Sequence, residues 1–117
     1  GCGRVFEGTH AMMWGSLSKL ARLDPATTVW CGHEYTLANL KFARSVEPEN
    51  PSLAEQGAEI EAARAEGRPT VPTTIGRELA ANPFLRPAEP KFQAALGLRG
   101  ADAASVFAET RRRKDAF

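Results

Sequence analysis

The chain has 117 residues, enough to bury one modest core. Apolar residues make up 43%, charged residues 25%, and the net charge is +1, so there is no global pull toward nucleic acid or an anionic membrane. No apolar run approaches the roughly 20 residues of a membrane-spanning helix, and two cysteines are too few for a disulfide-built scaffold, which points to a reduced, cytoplasmic setting.

The opening, Gly1 to Thr9, is glycine-rich and reads as a loop leading to a helix capped by Thr9. Gly1-Cys2-Gly3-Arg4, with no Met before it, reads as an interior loop, so a piece of a longer protein is expected. Met13, Leu17, Leu20 and Ala21 then recur at the helical period, and Asp24-Pro25 closes that helix. Met12-Met13-Trp14 reads as core packing and His10 as a surface residue. Thr27 to Cys31, β-branched and aromatic, reads as a strand. Its partner is expected either in the Gly1–Phe6 stretch or in residues outside this chain, because one strand cannot satisfy its own edges.

A second helix is predicted from about Tyr35 to Val46, with Leu37, Leu40, Ala43 and Val46 inward. Glu47 to Pro51 breaks it. Asn50 as N-cap and Pro51 at the first helical position start a third helix, whose inward face is Leu53, Gly57 and Ile60. Gly67 stops it, and the two prolines of Arg68 to Pro72 hold that stretch extended. Thr73 or Thr74 caps a short helix over Ile75 to Ala81. Asn82 to Pro87 is expected to be another extended connector. Helices from about Pro90 to Leu96 and Asp102 to Arg112 follow, the last anchored by Val106 and Phe107.

Chemistry concentrates at Trp30-Cys31-Gly32-His33-Glu34-Tyr35, between the strand and the second helix. Gly32 permits a sharp turn or close approach to a ligand. His33 offers an imidazole that can bind metal when neutral. A helix would bring Tyr35 and Asn39 to one face. Taken alone, a histidine after a strand fits a satisfied turn residue at least as well as a ligand.

The order of motifs resembles the C-terminal half of glyoxalase II, the hydroxyacylglutathione hydrolases of the metallo-β-lactamase fold. The resemblance rests on Gly1 to Thr9, Cys31-Gly32-His33-Glu34-Tyr35-Thr36, Asn39 to Ala43, Val46-Glu47-Pro48, Pro69 to Pro72, Asn82 to Arg86 and Arg111 to Asp115, in register along the whole chain. It implies a mainly α fold with a small β remnant: residues 1–48 as the end of an αββα metallo-β-lactamase domain, and 49–117 as the helical glutathione-binding domain. It implies a hydrolase that cleaves S-lactoylglutathione to D-lactate and glutathione, with a metal-bound hydroxide attacking the thioester. Two divalent ions are implied, zinc first, with iron or manganese as alternatives.

By the same resemblance, His33 matches the last metal-binding histidine. Arg4, Tyr35, Asn39, Arg111 and Lys114 match glutathione-binding positions. Arg111 and Lys114 would form a cationic clamp on carboxylate if the last helix continues that far. Phe6 stands where the family often has Tyr, so one hydroxyl contact is missing. The family's His-x-His-x-Asp-His motif, a further histidine and its bridging aspartate do not occur here. The chain alone is therefore expected to be inactive. The expected partner is an S-acylglutathione, with neither nucleic acid nor membrane, and a dimer or swapped assembly is expected from unpartnered surfaces. Two readings of another class stand beside this one. Cys2, His10, Cys31 and His33 could close a small structural zinc site, or the chain could be a non-catalytic helical binding module. Arg111 to Lys114 could also be a solvated basic surface.

Overall fold

The computed structural model describes residues 1–117. Six α-helices run in the order α1 (His10–Ala21), α2 (Thr36–Val46), α3 (Pro51–Ala65), α4 (Ile75–Ala81), α5 (Pro90–Ala95) and α6 (Ala103–Ala116). Two strands of two residues each, β1 (Thr28–Val29) and β2 (Thr73–Thr74), are the whole of the β structure. The fold is mainly helical with a small sheet, as expected.

Local chemistry sets most helix ends. Thr9 accepts from the Met12 N–H, Asn50 from Ser52, Thr74 from Arg77 and Asp102 from Ser105, so four of the six starts have a side-chain cap. Pro51 occupies the first turn of α3, where its missing N–H costs nothing. At the other end Gly67 adopts φ +71°, and the Arg68 N–H reaches back to the Ala63 carbonyl at 2.8 Å. That is a Schellman stop, and only glycine takes it without strain.

The core is a cluster of aromatic and aliphatic side chains from distant segments: Phe42 and Val46 of α2, Phe84, Phe92 and Leu96, and Val106 and Phe107 of α6. Phe84 meets Phe107 edge-on with ring centroids 5.9 Å apart, and lies 6.0 Å from Phe42. Each such ring contributes roughly 1.5–3 kcal/mol by leaving water. Met13, Trp14 and Leu17 of α1 and Cys2 and Val5 of the opening segment pack on this cluster from outside. A second cluster, Leu40, Ala43 and Leu53, holds α2 to α3. Gly57 leaves room for the Arg44 guanidinium against α3, which a methyl group there would push aside.

Several expectations are corrected. The strand finds its partner within the chain but not in Gly1–Phe6: β1 pairs antiparallel with β2, Thr28 opposite Thr74 and Val29 opposite Thr73. A pairing across more than forty residues cannot be read from local pattern, which marks Thr73-Thr74 only as a helix cap. The ladder is also shorter than Thr27–Cys31. Pro83–Leu85 is a 3₁₀ turn, not extended connector, because Asn82 accepts from the Phe84 N–H and restarts helical winding. Met12 is exposed while its neighbours Met13 and Trp14 pack inward. His10 is half-buried, edge-on to Phe107 at 6.3 Å. No helix is long and apolar enough to cross a membrane.

Candidate functional site

A cleft of about 1040 Å³ opens between the first residues of the chain, the Cys31–Tyr35 turn, one face of α2, the 68–73 connector and the end of α6. Arg4, His33, Tyr35, Asn39, Arg111 and Lys114 all line it. Their roles differ once the geometry is in view.

His33 stands exposed after β1, its ring stacked flat on Tyr35 with centroids 4.8 Å apart and planes 9° from parallel. Tyr35 is the N-cap position of α2 and gives no side-chain cap bond, so its hydroxyl is free for other partners. The Asn39 N–H bonds the Tyr35 carbonyl at 2.9 Å, which locks the first turn and carries Asn39 into the cleft wall. Gly32 has neither a positive φ nor any atom near where a side chain would begin, so the turn itself does not demand glycine.

α6 continues to Ala116, so Arg111 and Lys114 are both helical. Arg111 is buried, and its fork is already filled. It donates to Asp115 at 2.7 and 3.0 Å and to the carbonyls of Cys2 and Gly3 at 3.3 and 3.4 Å, and it lies over the Phe84 ring at 4.7 Å. Arg111 thus binds the opening segment to α6. Lys114 has no acidic partner in the chain. Its ammonium sits 5.5 Å from the ring centres of both Phe42 and Phe117, a cation–π setting that leaves its donors open. Arg4 is exposed and only loosely paired with Asp115, at 4.0 Å. Arg112 and Arg113 pair with Glu109, so for these two the solvated-surface reading is sufficient.

Two groups near the cleft have displaced acidities. Burial pushes the Cys2 thiol up, against the pull of Arg111. Hydrogen bonds from the Thr70 hydroxyl and then its N–H hold Glu34 below the usual carboxylate range. The sequence reading missed Glu34, Thr70 and Asp115. Only the spacing of Asp115 four residues after Arg111 was a visible signal.

Metal-type donors do not assemble. No three His, Cys, Asp or Glu side chains come together, so the four-ligand site from Cys2, His10, Cys31 and His33 is not formed. His33 offers one imidazole, and the other donors of a two-metal centre are not among these residues.

Comparison with known proteins decides the family. Residues 34–117 match the family described as "Hydroxyacylglutathione hydrolase C-terminus". The chain belongs to that family. All 117 residues align at 59% identity with a hydroxyacylglutathione hydrolase of Ruegeria pomeroyi, covering 46% of that relative. Similar relatives with the same description come from Maricaulis maris, 57% identical over the same coverage, and Rhizobium meliloti, 56%. The chain spans about half the length of the curated relatives it matches.

Proposed function

We propose that the chain is the glutathione-recognising part of a metal-dependent thioester hydrolase acting on S-lactoylglutathione, with residues 1–48 finishing the catalytic domain and 49–117 forming the helical one. The observation that carries the reading is the meeting of cations, a tyrosine hydroxyl and an amide at one cleft beside His33. Glutathione presents carboxylates and amides, and these are their complements. Lys114 and Arg4 bind the carboxylates directly. Tyr35 and Asn39 serve the peptide groups. Arg111 acts at one remove, holding Cys2 to Arg4 in place. Two free thiols suit a reducing, cytoplasmic compartment.

In such hydrolases the metals, zinc or alternatively iron or manganese, polarise the thioester carbonyl and supply a nucleophile near neutral pH. His33 would be one ligand, and no chemical step can be placed on these 117 residues alone. The test has two arms. The chain is expected to bind S-methylglutathione in calorimetry, to lose most of that binding in Lys114→Ala and Arg4→Ala, and to leave S-lactoylglutathione uncleaved. Absent binding, or binding indifferent to both substitutions, would remove the recognition role, and turnover well above the uncatalysed rate would remove the division of labour. Binding without turnover would also suit a stand-alone binding module. Restored hydrolysis when these residues are joined to a relative's other half excludes that module.

A further inference from the structure

The turn that presents His33 has one side-chain tie to the rest of the molecule. Glu34 accepts from the Thr70 N–H at 2.9 Å and from the Thr70 hydroxyl, across 36 residues of sequence. Thr70 Oγ1 also lies 2.6 Å from Thr36 Oγ1. The single hydroxyl proton of Thr70 cannot serve both acceptors. Given to the carboxylate, it leaves the Thr36 hydroxyl to donate to Thr70, and the three groups close a chain. Between the β1 ladder and the first turn of α2, no other side chain bonds outside the turn. The connector that carries Thr70 is itself held at both ends. Arg64 donates to the Arg68 carbonyl at 2.7 Å after the Gly67 stop, and Thr73 enters the ladder with Val29. Glu34 therefore fastens a loose turn to a fixed segment.

We propose that Glu34 is a positioning residue: through Thr70 it sets the orientation in which the stacked His33 and Tyr35 rings face the cleft. The value of that orientation rests on reading those two residues as site residues. Glu34 does not line the cleft; it acts through the turn.

The test compares Glu34→Ala, Thr70→Val and Thr70→Ser with the unaltered 117-residue chain, by the NMR resonances of the His33 and Tyr35 rings and by calorimetric titration with S-methylglutathione. Glu34→Ala is expected to erase the ring-current shifts of the stacked pair and to weaken binding about five- to tenfold, the loss of one charge-assisted contact shared with water. Thr70→Val follows partway, because its N–H remains. Thr70→Ser restores both readouts, since hydroxyl and N–H are kept. The melting temperature, followed in every variant, stays near the parent value because Glu34 is exposed. Ring resonances in Glu34→Ala that superimpose on those of the unaltered chain would overturn the proposal. If the unaltered chain does not bind S-methylglutathione, the function reading falls instead, and the ring resonances still decide for or against Glu34.

Discussion

Glu47 and Arg86 are the most consequential charged residues for stability. Both are buried, and Arg86 grips Glu47 bidentately at 2.7 and 3.1 Å. Its third nitrogen donates to the carbonyls of Leu79 and Ala80 at the end of α4, while Asn50 donates to Glu47 and to Ala80. One cation and one amide thus satisfy the ends of two helices and a carboxylate. Without Arg86 the Glu47 carboxylate loses its only cation, and without Glu47 the buried guanidinium keeps only the partly exposed Glu89, at 3.1 Å. Glu47→Gln is expected to cost about 3 kcal/mol in urea unfolding, the low end for a broken buried pair. The double variant Glu47→Leu with Arg86→Met should cost clearly less than the sum of its single changes. Strict additivity would mean the two residues do not act as a unit.

At the scale of elements, α6 shows how a charge run is divided. Its inward side, Val106, Phe107, Thr110 and Arg111, is buried, and Thr110 returns its hydroxyl to the Val106 carbonyl. Its outer side carries Glu109 between Arg112 and Arg113. Hydrogen bonds from Arg113 and then Arg112 hold Glu109 below its ordinary value of 4.5. A carboxyl lowered on folding stabilises the folded chain above its unfolded value, and that contribution fades as pH falls through the folded one. Asp102, lowered by its Ser105 cap bonds, acts in the same direction at the other end of α6. Melting temperature should therefore drop on acidification below about pH 4.5, and Glu109→Gln should show a shallower drop. An identical acid profile in that variant would show that this pairing contributes nothing.

At the scale of the molecule, the outer surface is more apolar than the core arrangement requires. Phe6 is 87% exposed, Trp30 73% and Met12 64%, and α1 contains no fully buried residue. Apolar side chains so displayed favour association. Pairing with β2 gives β1 one partner and leaves a ladder of two residues, too short an edge to motivate a dimer by itself. The apolar surface still does, and sedimentation velocity is expected to show association that grows with concentration and weakens in Trp30→Ser. A monomer at every concentration would end that proposal.

Helix positions, the caps at Thr9, Asn50 and Thr74, the Gly67 stop and the Val106–Phe107 anchor are legible in order along the chain, because each depends on residues within one or two turns. The motif around His33 was legible for the same reason, as a string of neighbours. What joins distant segments was not. The pairing of β1 with β2, the hold of Arg111 on Cys2 and Gly3, the Glu47–Arg86 knot and the Glu34–Thr70 tie link residues separated by many turns of chain. Sequence alone determined which chemical groups this protein carries and which local shapes they prefer. Tertiary structure decided which cations remain free and which are spent on packing, because a charge is satisfied by whatever the fold brings within hydrogen-bond reach.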